Sequence, residues 1–365
     1  MDHPGRLKRL REELSRNRLD SLLVTHLPNI RYLSGFSGSA GVLLVVGAGA
    51  VFFVDGRYTA QARSEVKGAR VVSARQPPLL AVAEWLAKKG RRPRAKGSHV
   101  AGVEGESLSV AAQKRLADAL PSGFRLRQAP FLVERLRMVK DAAEIECIRK
   151  AALLGAGLFD TTLKTIRAGV PENEVAAEME YAARKAGATA MSFETIIAAG
   201  ERSALPHGRA SDARIPSPGF VVCDFGVILA GYCSDMTRTV WVGKVSDEAR
   251  QTYEAVRESQ QAGLDAIRAG ATVGEVDQAA RKSLQKSGLA RYFTHSTGHG
   301  VGLEIHEAPK VAAGQQEVLV PGMVITIEPG VYIPGKWGVR IEDMAVVTEA
   351  GCEVLTPTSK EFVAI

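Results

Sequence analysis

The chain has 365 residues, of which 45% are hydrophobic and 24% charged, and its formal net charge is +7. This length exceeds the size at which one hydrophobic core usually stops growing, so two domains are expected. The longest apolar stretch, residues 40–54, is interrupted by glycines and is too short to cross a bilayer, which excludes a membrane-spanning protein. The first 24 residues are charged and helical in pattern rather than typical of a signal peptide, so we expect a cytoplasmic protein.

Residues 1–131 alternate strand-like runs with helical ones, which predicts an α/β layer fold for a first domain. The strand-like runs are SLLV (21–24), GVLLVV (41–46), AVFFV (50–54) and RVVSA (70–74), and the helical runs are PLLAVAEWLAKKG (78–90) and SVAAQKRLADAL (109–120). This region holds 22 Lys and Arg against 10 Asp and Glu. Its densest basic piece, KKGRRPRAK (88–96), has no aromatic residue and is interpreted as a solvated loop, so no nucleic-acid partner is expected.

Residues 132–365 predict helices paired with antiparallel hairpins, an α+β second domain built from two similar units. A long amphipathic helix is expected to begin after Asp141, which is a suitable N-cap residue. Further helices are predicted at 171–187, 247–270 and 272–288. The domain boundary is placed after residue 131, where the basic excess ends.

Each predicted hairpin carries two acids. In GFVVCDFGVILAGYCSDMTRTV (219–240), a turn centred between Leu229 and Ala230 pairs positions whose numbers sum to 459, which places Asp224 opposite Asp235. Cβ atoms in such pairs lie about 4.5–5.5 Å apart.

The second hairpin, VITIEPGVYIPGKWGVRIEDMAVV (324–347), turns around Gly335 and pairs positions whose numbers sum to 670, which places Glu328 opposite Glu342. Like charges directly across a ladder are destabilising unless a cation lies between them.

Together with His299, these four acids predict a site for two metal ions, because so many carboxylates in apolar runs need cations. Taken singly, each acid is typical of a solvated strand edge and each histidine of an ordinary loop; the agreement of two hairpins favours metal. Oxygen ligands with one imidazole suit Mn, Fe, Co or Zn, and two ions about 3.5–4 Å apart can share a bridging hydroxide. The predicted chemistry is metal-assisted hydrolysis.

Several stretches also carry a family resemblance: ALPHG (204–208), CDFG (223–226), CSDMTRT (233–239), HSTGHGVGLEIHE (295–307), ITIEPGVY (325–332) and GVRIED (338–343). Together they resemble the pita-bread metallopeptidases, in the branch of aminopeptidase P and prolidase. SGFSGSAG (34–41) and ERLRMVKDAAEIECIRKA (134–151) resemble that branch's amino-terminal domain and the start of its catalytic domain. The resemblance implies a creatinase-like α/β domain at 1–131 and a pita-bread α+β domain at 132–365.

The resemblance implies two divalent ions, Mn foremost with Co, Zn or Fe as alternatives. The implied ligands are Asp224, Asp235, His299, Glu328 and Glu342, of which the first and the last touch both ions. Glu328 is further implied to take the proton of a metal-bridging water.

The accessory positions of the family fall on His207, His295, His306 and Arg340. By resemblance, His306 and His207 stabilise the oxyanion and the scissile carbonyl, while His295 shapes the pocket for the residue after the cleaved bond. Arg340 has the strand parity to hold Glu342 or a substrate oxygen, and Thr237 has the parity to hydrogen-bond a ligand.

The resemblance implies a proline-containing peptide substrate and a homodimer formed through the amino-terminal domains. Prolidases of the family tend to carry an arginine that captures the product's free carboxylate. Between His306 and Glu328 this chain has Lys310 and no arginine, which favours an Xaa-Pro aminopeptidase, with an Xaa-Pro dipeptidase as the alternative. The complete ligand set argues against an inactive binding module and a creatinase-like amidinohydrolase, and the added amino-terminal domain disfavours a methionine aminopeptidase.

Overall fold

A computed structural model describes residues 1–89 and 99–365. Most of the basic segment 88–96 therefore lies outside the described residues. The chain divides into two compact units, Met1–Arg137 and Met138–Ile365. None of the helices within the described ranges has the length and apolarity that a bilayer requires.

Unit 1 is built on a six-stranded sheet with the strand order β4-β3-β2-β1-β5-β6. The strands are β1 (Ser21–Val24), β2 (Val42–Val46), β3 (Gly49–Val54), β4 (Arg70–Ser73), β5 (His99–Val103) and β6 (Phe124–Gln128). The helices are α1 (His3–Arg16), α2 (Leu27–Ser34), α3 (Thr59–Glu65), α4 (Pro78–Lys89), α5 (Val110–Ala119) and α6 (Leu132–Met138). The predicted α/β alternation is confirmed. Strands β5 and β6 were not predicted; β6, FRLRQ, has two arginines among its five residues and lies at a sheet edge.

Helix α6 is tied to unit 1 by hydrogen bonds at its carboxyl end. The Tyr32 hydroxyl donates to the Leu136 carbonyl at 3.1 Å, and Arg137 Nη1 donates to Asn29 Oδ1 at 2.8 Å. The structural division consequently follows Arg137, whereas the charge pattern had placed it after residue 131.

Unit 2 contains two helix pairs, each followed by strands. The helices are α7 (Ala142–Thr165), α8 (Glu172–Lys185), α9 (Asp247–Asp265) and α10 (Val273–Lys286). The first group of strands is β7 (Ala190–Met191), β8 (Ile196–Ala199), β9 (Gly219–Phe225), β10 (Val227–Leu229), β11 (Tyr232–Cys233) and β12 (Met236–Val242). The second group is β13 (Gly298–Gly300), β14 (Glu307–Val311), β15 (Val324–Ile327), β16 (Gly330–Ile333), β17 (Trp337–Arg340), β18 (Asp343–Val347) and β19 (Cys352–Val354). Asp141 caps α7 in a capping box with Glu144, as the sequence predicts for that N-cap.

These strands form four separate sheets, and Asp235, Glu328 and Glu342 lie between strands at the sheet ends. The orders are β12-β9-β8, β11-β10-β7, β14-β13-β15-β18-β19 and β16-β17. Short 3-10 helices occur at Gly56–Tyr58, Gly200–Ala204 and Ala290–Tyr292.

The predicted register of the first hairpin is wrong. Asp224 lies opposite Thr237, not Asp235, because the turn is at Ala230 and Gly231. Both of these residues have positive φ, 50° and 84°, as a tight two-residue hairpin turn requires. Asp235 instead lies in the break between β11 and β12.

The predicted register of the second hairpin is confirmed. Gly330 pairs with Arg340 and Ile327 pairs with Asp343, so both ladders follow the predicted sum of 670. Glu328 and Glu342 lie in the gap between these ladders, where each chain passes from one sheet to the next.

Candidate metal centre

A cavity of about 780 Å³ in unit 2 brings together all nine residues singled out from the sequence. They are Asp224, Asp235, His299, Glu328, Glu342, His207, His295, His306 and Arg340. Asp224 lies on β9 and His299 on β13, whereas Asp235, Glu328 and Glu342 occupy strand breaks. Residues far apart in sequence thus converge because the sheets end at this point.

Two glycines allow the strand that carries His299 to pack closely against its neighbours. A Cβ atom on Gly298 would lie 1.9 Å from the Thr326 carbonyl oxygen, and one on Gly300 would lie 2.2 Å from that of Ala308. Any side chain at these positions would displace His299 from the cavity wall.

The His299 ring presents a lone pair to two carboxylates. Its Nδ1 lies 3.0 Å from the Gly300 carbonyl, which can only accept, so Nδ1 carries the proton. Nε2 then lies 3.5 Å from Asp235 Oδ2 and 3.5 Å from Glu328 Oε1. Burial lowers the pKa of His299 to about 4, so the ring is neutral at pH 7. A lone pair facing two carboxylates is an arrangement that a cation stabilises.

The carboxylates themselves have unused oxygens. Asp224 Oδ1, Asp235 Oδ1 and Glu342 Oε1 are buried and have no hydrogen-bond partner within residues 1–89 and 99–365. Burial and neighbouring carboxylates raise the pKa of Asp235 and of Glu342 well above the usual range, and burial raises that of Glu328 to about 8. Unpaired buried oxygens are costly, and divalent cations would satisfy them, so the donor set fits metal.

Three of the five predicted ligands already form a compact group. One ligand atom each from Asp235, His299 and Glu342 lie within 4.8 Å of one another. Asp224 and Glu328 line the same cavity beside this group.

Arg340 contacts Asp224 rather than Glu342, the partner expected from strand parity. Its Nη2 forms an ion pair with Asp224 Oδ2, and its Nε donates to Thr237 Oγ1 at 3.1 Å. The Thr237 hydroxyl in turn donates to Glu342 Oε2 at 2.7 Å, which confirms the prediction for Thr237. The long Arg340 side chain reaches Asp224 on β9. Its link to Glu342 runs through the Thr237 hydroxyl.

Both ring nitrogens of His295 form hydrogen bonds. Nδ1 donates to the Ser296 carbonyl at 2.7 Å, so Nε2 accepts from the Tyr332 hydroxyl at 2.9 Å. The Tyr332 oxygen accepts from Arg340 Nη1 at 2.6 Å. Burial lowers the pKa of His295 to about 4. Tyr332 was not singled out from the sequence; its place opposite Gly338 on the second hairpin was the available signal.

The other two histidines lie on the cavity wall beside the predicted ligands. The His306 ring meets the His299 ring edge-on, with centroids 4.4 Å apart, and burial lowers the pKa of His306. His207 follows the 3-10 helix Gly200–Ala204. Both rings can face a substrate group in the cavity.

Two cations lie at the edge of the cavity. Arg209 is paired with Glu194 at 2.9 Å. Lys310, on β14, lies directly opposite His299, so both side chains point to the same face. Lys310 forms no ion pair with any described residue and can receive an anion.

Comparison with known proteins gives concordant matches over nearly the whole chain. Residues 146–349 match the model of metallopeptidase family M24, and residues 6–139 match the creatinase/prolidase amino-terminal domain. The chain is 37% identical to the Xaa-Pro dipeptidase of Pyrococcus furiosus, over 98% of this chain and 99% of that one. The structure of an Xaa-Pro dipeptidase from Bacillus anthracis matches with a TM-score of 0.94 and 40% identity over 100% of both chains. That of an X-Pro aminopeptidase from Thermotoga maritima matches with a TM-score of 0.88 and 34% identity, over 97% of this chain and 100% of that one.

Proposed function

Because the chain belongs to metallopeptidase family M24, with a creatinase/prolidase amino-terminal domain, we propose that it is an Xaa-Pro dipeptidase. The convergence of all nine predicted residues on one cavity supports this proposal most directly. The names of the similar proteins favour the dipeptidase over the aminopeptidase that the sequence had favoured. The aminopeptidase remains a second candidate, supported by the likeness to the Thermotoga maritima structure.

We propose two divalent cations, manganese foremost, bound by the five residues predicted from the sequence. When bound, they would polarise the scissile carbonyl and make a water acidic enough to ionise near neutral pH. Membership of a metallopeptidase family and the unpaired carboxylate oxygens support this proposal.

The protein side chains would then hold and transfer protons. Glu328 would take the proton of the attacking water and give it to the prolyl nitrogen as that nitrogen leaves. His306 and His207 would donate hydrogen bonds to the developing oxyanion. His295 would contact the proline ring, because its two nitrogens are already occupied. A prolyl bond lacks an N–H group, so recognition must come from such ring and carboxylate contacts.

Lys310 would bind the free carboxylate of a dipeptide. It is a cation in the cavity wall that has no ion-pair partner among the residues the structure describes, whereas Arg209 is paired with Glu194. A carboxylate bound at Lys310 would select substrates that end directly after proline.

The decisive experiment compares a Xaa-Pro dipeptide with a Xaa-Pro-Xaa tripeptide, using metal-stripped protein reloaded with Mn²⁺. The proposal expects metal-dependent cleavage of the dipeptide and a loss of about 10²-fold or more in kcat for Glu328→Gln. Preferred cleavage of the tripeptide would instead establish the aminopeptidase. Reloading with Co²⁺, Zn²⁺ or Fe²⁺ in parallel ranks the metals.

A second comparison isolates Lys310. Lys310→Ala should raise KM for the dipeptide about tenfold and leave KM for its carboxyl-terminal amide unchanged, because the amide has no carboxylate. Arg209→Ala, at the same cavity edge, is the matched control and should change neither value more than twofold. Equal effects of Lys310→Ala on both substrates would refute carboxylate capture.

A cytoplasmic location and a homodimer also remain our proposals. No disulfide is recorded for any of the four cysteines in the described part of the chain, as is typical of a reducing compartment. Sedimentation of the purified chain at several concentrations tests the dimer.

A further inference from the structure

An ion pair of helix α10 holds the chain segment that carries His295. Asp277 Oδ2 accepts from Arg281 Nε at 2.8 Å, one helical turn away. Asp277 Oδ1 accepts from the Thr297 hydroxyl at 2.8 Å. The Asp277 side chain is only 1% exposed, and Arg281 is 29% exposed. One buried carboxylate thus joins the helix to the segment just after His295.

Arg281 uses its remaining donors on the same segment. Nη1 donates to the Phe293 carbonyl at 3.1 Å, and Nη2 donates to the His295 carbonyl. The guanidinium also stacks over the Phe293 ring, with Cζ 4.2 Å from its centroid. The Phe293 ring meets the His295 ring edge-on at 5.1 Å. Only a planar fork of three nitrogens can make these contacts at once, and a lysine cannot.

We infer that Arg281, oriented by Asp277, is a positioning residue that fixes the His295 ring in the substrate cavity. The inference rests on the proposed function. Arg281 holds the backbone of His295 directly and its ring through Phe293, while the Tyr332 hydroxyl donates to its Nε2. Loss of the Arg281 contacts frees the ring, and small misplacements of substrate-contacting groups cost large factors in rate or binding.

Asp277 and Arg281 also line a second cavity, of about 580 Å³, together with Gln278, Lys282 and Gln285. Since solvent reaches Arg281 from this side, a guanidinium ion could occupy the space left by Arg281→Ala. The cavity therefore offers a chemical rescue experiment.

The first test does not depend on activity. Nitrogen-15 NMR of histidine-labelled, metal-free protein reports which ring nitrogen carries the proton, and His295→Ala assigns the signal. Arg281→Lys should shift the His295 signals and mix its tautomers, whereas Lys282→Ala, at the exposed neighbouring position, should leave them unchanged. Unchanged His295 signals in Arg281→Lys would overturn the inference.

The second test is a double-mutant cycle on the dipeptide. Arg281→Lys should raise KM about tenfold with kcat within about threefold, and should add less than twofold to KM in a His295→Ala background. Millimolar guanidinium should restore KM in Arg281→Ala. Equal losses in both backgrounds would show a merely structural role. If the wild-type protein cleaves no Xaa-Pro peptide, the proposed function fails, and the NMR result alone decides the role of Arg281.

Discussion

The Thr237 hydroxyl links the Arg340 guanidinium to the Glu342 carboxylate. It accepts from Arg340 Nε at 3.1 Å and donates to Glu342 Oε2 at 2.7 Å. Because an arginine can only donate, the Thr237 oxygen must accept from it, and the Thr237 proton is left to point at Glu342. Thr237 therefore occupies Glu342 Oε2, and Glu342 Oε1 has no hydrogen-bond partner in the described part of the chain.

We predict that Thr237→Val weakens metal binding by about 10- to 100-fold, because an unheld Glu342 must be ordered when metal binds. Titration with Mn²⁺ against a competing chelator measures the change. Thr237→Ser retains the hydroxyl and should stay within about threefold of the wild type.

Thr162→Val is the matched control for this prediction. Thr162 is equally buried, and its hydroxyl donates to the Leu158 carbonyl within α7. Its loss should leave the metal affinity unchanged. Equal weakening by the two valine variants would contradict the role assigned to the Thr237 hydroxyl.

At the level of elements, the two hairpins show what could be predicted from sequence. The turn around Gly335 is marked by Pro334 and Gly335, and its register followed from the pattern alone. The turn at Ala230 was misplaced because an alanine at positive φ gives no sequence signal. The Asp277–Arg281 pair looks like any i,i+4 helix pair, and its contacts with the His295 segment arise only from tertiary packing.

The loop that carries His207 is anchored by a buried acid at the start of α8. Glu172 accepts from the backbone N–H of Ala199 at 2.8 Å and that of Ser211 at 3.1 Å. It also pairs with Arg202 at 3.0 Å, and its side chain is 0% exposed. Glu172 thus ties together both ends of the loop.

We predict that Glu172→Ala destabilises the protein by about 3 kcal/mol, since removing one member of a buried, hydrogen-bonded pair leaves its partners unsatisfied. It should also lower kcat by about tenfold through the displaced His207. Urea unfolding and dipeptide kinetics measure the two effects.

Glu174→Ala is the control for Glu172, because it lies exposed in the same first turn of α8. It should change the free energy of unfolding by less than about 0.5 kcal/mol. If Glu172→Ala lost stability without any change in kcat, the link to His207 would be wrong.

At the scale of the whole molecule, buried carboxyl groups of the metal-free protein keep their protons at pH values at which the unfolded chain has released them. Burial raises the pKa of Glu328 from 4.5 to about 8, and those of Asp235 and Glu342 are raised as well. Such groups favour the folded state below their unfolded pKa, and that contribution is lost as the pH rises through the folded pKa. His295 and His299, with pKa values lowered to about 4, act in the opposite sense but only below about 6.5.

The free energy of unfolding of the metal-free protein should therefore fall between pH 6.5 and 8, by about 1.4 kcal/mol per pH unit for each proton retained. Urea unfolding at several pH values measures the slope. Glu328→Gln removes one titrating group and should flatten the slope. Added Mn²⁺ should reverse the trend, because metal binds the deprotonated carboxylates and stabilises the fold more as the pH rises. If the stability of the metal-free protein did not fall with pH over this window, these acids would already be ionised in the folded state, and the raised pKa values would be wrong.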